Sequence, residues 1–180
     1  MIAIYIILGF FLVPLSLFVH FHWSSYRITS HPHVEPIHIA LPSIADEIQL
    51  LVEKVSYIAQ IPVPETYIFR SQLSNAFIIA STKSPHLFLS DELFEECNEL
   101  GEEQGIEKLE WTICHEIAHI QHNDALPVYL IETVHALTTT LKLNKFSQLI
   151  DKWADTIEKR ADTKANKLYQ SICSPTKSNP

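Results

Sequence analysis

No Asp, Glu, Lys or Arg occurs before Arg27, so the net charge of -8 is carried entirely by the residues that follow. The missing charges leave residues 2–19, IAIYIILGFFLVPLSLFV, as an uninterrupted apolar run. As a helix it would be roughly 27 Å long, close to the hydrocarbon thickness of a bilayer. No basic segment precedes the run and no A-x-A-like site follows it, which disfavours a removable signal peptide and leaves a retained anchor over 1–23. Phe21, Trp23 and Tyr26 stand where an interfacial aromatic belt is expected. Arg27 lies on the C-terminal side of the run, which predicts a single-pass membrane protein with its folded domain in the cytoplasm.

A basic excess is also lacking. With 13 Lys and Arg against 21 Asp and Glu, no phosphate-binding face is expected, and nucleic acid is excluded as a partner. Three cysteines, Cys97, Cys114 and Cys173, have no regular spacing and form no disulfide framework. There is no internal repeat. At 180 residues the chain holds one domain plus an appendage.

Three prolines in HPHVEPIHIALP (31–42) restrict the backbone and predict an extended linker over 24–42, ahead of a domain over 43–172 and a polar tail over 173–180. Ser43 with Asp46 resembles a helix cap, and Ile44, Ile48, Leu51, Val52, Val55 and Ile58 recur at helical spacing, so a helix is expected over 43–60. Residues 66–70, 76–81 and 86–90 are short, apolar and rich in β-branched and aromatic side chains, as strands are. Beyond Asp91 the pattern is helical, with Gly101 and Gly105 marking a loop before a helix over 106–123. Glu132, His135 and the threonines of 125–143 predict a surface amphipathic helix there, not a second span.

Residues 115–119 read HEIAH. With ten histidines in the chain, an H-E-x-x-H arises by chance at the level of about a few per cent, so its setting matters. On a helix, Leu109, Ile113, Ile117 and Ile120 form one stripe, and His115, His119 and His122 gather nearly opposite, flanked by Trp111, Cys114 and Ala118. Two imidazoles at i and i+4 present their nitrogens to one point, as tetrahedral zinc requires. Core histidines satisfied by hydrogen bonds are the plain alternative. Glu116 would lie beside the metal, placed to take a proton from water and return it to a leaving amine.

An open catalytic zinc has three protein ligands, so another His, Asp or Glu is needed. The helix expected over 145–172 has an apolar stripe of Ile150, Ala154, Ile157, Ala161, Ala165, Leu168 and Ile172, with Asp151, Asp155, Glu158 and Asp162 on its shoulder. Glu158 lies nearest the stripe and is the candidate ligand. Asp162, one turn on, is placed to accept the ring N–H of a ligating histidine. A solvated acidic ridge paired with Lys159 and Arg160 is the alternative.

HEIAHIQHND with EKRAD (158–162), SNAFIIAS (74–81) and HLFLSDELF (86–94) resembles the HtpX-like, CAAX-prenyl-protease-type zinc metallopeptidases. The resemblance spans roughly residues 43–170. It implies an α+β, mainly helical zincin domain of gluzincin type with a small β-sheet, preceded here by one transmembrane helix. It implies one zinc per chain on His115, His119 and Glu158, with Glu116 as the catalytic base and Asp162 behind the ligands. It further implies a substrate-binding edge strand at Asn75, Ala76 and Phe77. Members of that family carry a basic or histidine oxyanion donor beyond the E-x-x-A-D helix; here His122, Tyr129, His135 and Tyr169 are the substitutes. The expected function is a membrane-anchored zinc endopeptidase acting on protein or peptide substrates in membrane protein quality control. The alternative is a non-catalytic or partner-dependent membrane adaptor, with a protein partner completing the site.

Overall fold

The computed structural model of the chain describes residues 28, 30–80, 85–124, 127–128, 130–131, 134–135 and 144–173. The anchor expected over 1–23, the tail beyond Cys173 and most of 125–143 lie outside the described residues. Among the described residues no helix is long and apolar enough to cross a membrane.

The fold is mostly helical with one small sheet. In chain order the elements are β1 (Val34–Pro36), α1 (Ile37–Ala40), α2 (Ala45–Ala59), β2 (Glu65–Phe69), β3 (Ala76–Ala80), β4 (Pro85–Ser90), α3 (Asp91–Glu99), α4 (Glu102–Gln121) and α5 (Asn144–Cys173). The sheet runs β1-β2-β4-β3, with β2 parallel to β4 and the other pairs antiparallel. β4 is central and fully apolar along Leu87, Phe88 and Leu89, as an interior strand requires. Tyr67, Phe88 and Phe77 are cross-strand neighbours whose rings stack at 5.3 and 4.7 Å, which fixes the register of three strands. β3 lies at the end of the sheet, and among the described residues no strand pairs with its outer edge.

Ile68, Leu87 and Leu89 from the sheet meet Ile48, Val52 and Val55 of α2, Ile113 and Ile117 of α4, and Ala161, Ala165 and Leu168 of α5 in one core. The small side chains at Ala161 and Ala165 let α5 approach α4 closely, and that approach sets the reach of every polar group on the facing shoulders.

Three expectations need correction. The stretch 24–42 is no mere linker: Val34–Pro36 pairs with β2, and Ile37 is buried in the core. Extended backbone forced by proline is what an edge strand uses, and at an edge a missing N–H matters little. Ser43 does not cap α2; Ile44 holds that position without a side-chain bond, its N–H bonded to Leu41 O in a preceding turn. Gly105 lies inside α4, not in a loop, because there its bare Cα faces the backbone carbonyl of Cys97 in α3.

Candidate metal centre

α4 is in its last two turns when it presents His115 and His119, and the helical spacing brings their rings to a 4.8 Å edge contact with Nε2 atoms 3.1 Å apart. α5 crosses alongside and places Glu158 so that Oε2 is 3.3 Å from His115 Nε2 and Oε1 is 3.7 Å from His119 Nε2. These three side chains are the one group of possible metal ligands found among the described residues.

Their spacing tests whether a metal fits. Bonds of roughly 2.0–2.1 Å in tetrahedral directions separate ligand atoms by about 3.3 Å, which is the range seen here. Behind the pair, His119 Nδ1 meets Asp124 Oδ2 at 3.3 Å, and His115 Nδ1 lies 3.0 Å from Asp162 Oδ1. The second contact is off the ring's N–H direction, so Asp162 is an ion-pair neighbour and not an aligned acceptor. Where each ring carries its proton on Nδ1, the Nε2 lone pairs turn toward each other and toward Glu158. Three acceptors converging on one point repel unless a cation or a proton stands between them. The donor set fits a divalent metal.

In the metal-free chain a proton fills that place. Burial acts to lower both histidines, but hydrogen bonds donated to the Glu158 carboxylate and the nearby Glu116 charge outweigh it, and both sit above their ordinary value. Bonds from His115 and then His119 hold Glu158 down at about 2, against the effect of its burial. Glu116 is 8% exposed, and burial raises its carboxyl against the pull of the two histidines.

Glu116 lines the same cleft as the ligands. That cleft, about 310 Å³, is bounded by His115, Glu116, His119 and Glu158 on the helices, by Asn75 just before β3, and by Ala76 and Phe77 on it. Sequence positions some eighty residues apart are thus brought together, and Asp162 stands directly behind His115. The possible oxyanion donors are elsewhere. His122 caps α4 and is lowered by burial and by Arg160, His135 is near Asp151 at 3.5 Å, and Tyr169 lies by Cys173; none of these three lines the cleft. Tyr129 is outside the described residues.

Three supports were not anticipated from the sequence. Asp124 is 0% exposed and accepts from His119 on one side and from the Arg160 guanidinium of α5 on the other. It is placed by a helix end: Asn123 takes φ 56°, which Asn tolerates, and the chain folds back so that Asp124 N–H bonds His119 O at 2.9 Å. The Asn-Asp pair after the helix carries that signal. Trp111, one turn before His115, packs 5.2 Å from its ring and donates Nε1–H to Asn166 Oδ1 at 2.9 Å, a second tie between α4 and α5. On the β3 side, Ser90 Oγ accepts the N–H of Asn75 at 2.8 Å and caps α3 at Leu93 N, anchoring the strand's start beside the helices.

The model of peptidase family M48 matches residues 42–171, which contain all of these side chains. The chain belongs to peptidase family M48. A protein of Sulfurovum sp. (strain NBC37-1) described as Protease HtpX homolog is 31% identical to this M48 chain over 109 residues, 61% of this chain. The chain spans 36% of that relative's length. No solved structure matches it.

Proposed function

We propose that this chain is a zinc-dependent endopeptidase of gluzincin type. The observation that carries the reading is the convergence of His115 Nε2, His119 Nε2 and a Glu158 carboxylate oxygen at 3.1–3.7 Å. Zinc bound there would supply Lewis acidity to a water molecule and to the substrate carbonyl. Glu116, buried and with its carboxyl raised by that burial, is the general base: it takes the proton from the attacking water and hands it to the departing amine nitrogen. Asp124 orients the His119 imidazole, and Asp162 sets a negative charge beside His115. Substrate lies extended along the open edge of β3 and pairs with backbone groups at Ala76 and Phe77, while the Asn75 carboxamide donates to a substrate carbonyl.

The apolar run of residues 2–19 anchors the chain in a membrane with the peptidase on the cytoplasmic side. Its substrates are membrane proteins in quality control, as the resemblance to the HtpX-like peptidases suggests. Fractionation with and without residues 1–23 tests the anchor. For the reaction, zinc content and cleavage of an unfolded protein are measured in the full chain and in Glu116→Gln. The expected result is one zinc in both and a loss of turnover on the order of 10²-fold or more in the variant. Equal cleavage by both, or a zinc-free chain from zinc-replete medium, overturns the proposal.

A further inference from the structure

A second cavity, of about 440 Å³, opens between α3 and the first half of α4. Its walls are Leu93 and Glu96 from α3, Lys108, Trp111 and Thr112 from α4, and Ala76 from β3. It shares Asn75, Ala76, His115 and Glu116 with the metal cleft, so the two cavities meet at the catalytic carboxylate. The helix period explains the layout. Lys108, Trp111, Thr112 and His115 follow at three- and four-residue steps along one face of α4. A peptide along the β3 edge therefore passes from one cavity to the other at Asn75–Ala76, and a side chain beside the cleaved bond drops toward Lys108.

The hydrogen-bonding capacity left in this cavity limits what fits it. Trp111 Nε1 is committed to Asn166, and the Thr112 hydroxyl donates to Lys108 O at 2.8 Å, leaving its lone pairs free. Glu96 receives both Lys108 and the Ser74 hydroxyl. Lys108 carries three donors, and its ion-pair partner among the described residues is Glu96. The cavity thus offers spare donors at Lys108 and a spare acceptor at Thr112 Oγ1, above hydrocarbon from Leu93, Ala76 and the Trp111 ring. A carboxylate entering it meets Glu96, and an ammonium meets Lys108. A carboxamide on a two-carbon stem satisfies both spare groups without a charge.

Resting on the peptidase reading above, we propose that this cavity is the specificity subsite and takes a glutamine side chain next to the cleaved bond. Its amide oxygen accepts from Lys108 and its amide nitrogen donates to Thr112 Oγ1.

The test uses full-length zinc-loaded protein and peptides in which the residues flanking the cleaved bond are varied among Gln, Glu, Lys and Leu. Gln should exceed Leu in kcat/KM by about tenfold, with Glu and Lys below Gln. Lys108→Met/Glu96→Leu, which replaces the ion pair by apolar groups of similar size, should reverse the preference to Leu, and Thr112→Val should reduce it if the double variant fails to fold. Equal Gln-to-Leu ratios in wild type and a folded variant overturn the subsite and leave the peptidase reading intact. Calorimetric binding of the same peptides to zinc-loaded Glu116→Gln separates the two. Gln-selective, Lys108-dependent binding with no cleavage by wild type upholds the subsite and overturns the peptidase; binding without selectivity, or none, overturns the subsite.

Discussion

Asp124 is a carboxylate with no access to solvent, and such a group is tolerated because it is held from both sides, by the His119 ring and by a half-exposed Arg160. Removing either the charge or its partner therefore has different effects. Asp124→Asn should weaken zinc binding about 10- to 100-fold in competition with a chelator, because His119 loses the carboxylate that fixes its orientation. Arg160→Met should leave zinc-site geometry largely in place but strand the buried charge, lowering stability by about 2 kcal/mol in urea unfolding, less than for a fully buried pair. The ligand histidines give a pH prediction. In the metal-free chain Glu158 sits at about 2, so its contribution is present above 4.5 and fades as pH falls toward 2. His115 and His119 sit above 6.5, so theirs is present below 6.5 and fades as pH rises through their raised values. Zinc needs the neutral imidazoles. The Tm difference between zinc-loaded and metal-free protein should therefore widen from pH 5.5 to pH 8 by differential scanning; a constant gap would contradict the ligand assignment.

At the scale of elements, the α3–α4 crossing depends on one missing methyl. Gly105→Ala would normally favour a helix by about 1 kcal/mol. Here the new Cβ would fall on the Cys97 carbonyl, which is backbone and has no rotamer to escape to. Net destabilisation of about 2 kcal/mol is expected in urea, with α3 pushed away from the Lys108 cavity. The strands at 66–70, 76–81 and 86–90 were legible to within about one residue of β2, β3 and β4, since short apolar pieces bounded by turns have little else to form. The long helix was equally legible over Asn144–Cys173, because its stripe repeats through about six turns. β1 and α1 were not. Pieces of three and four residues have no period to detect, and the pairing that makes β1 a strand is supplied by β2, thirty residues away.

For the whole molecule, that edge piece sets where the fold begins. The M48 match starts at residue 42, yet Ile37 is 5% exposed in the main core and β1 completes the sheet. A chain beginning at residue 42 should be less stable than one beginning at residue 30 by about 3 kcal/mol, from the lost side-chain burial and ladder bonds, as measured by urea unfolding. Stability equal in both would make β1 and α1 dispensable. What the sequence by itself determined is local: an i, i+4 spacing on a helix brings His115 and His119 together whatever surrounds them, because 3.6 residues per turn allows nothing else. Tertiary packing decided the rest. Asp151, Asp155, Glu158 and Asp162 share one shoulder of α5, and only the close crossing permitted by Ala161 and Ala165 turns Glu158 and Asp162 toward the histidines while Asp151 and Asp155 stay exposed. Asp124 depends on a left-handed residue and a guanidinium from another helix, and the β3 edge reaches the site through Ser90. Each of these is a long-range juxtaposition, and no periodicity in the chain encodes it.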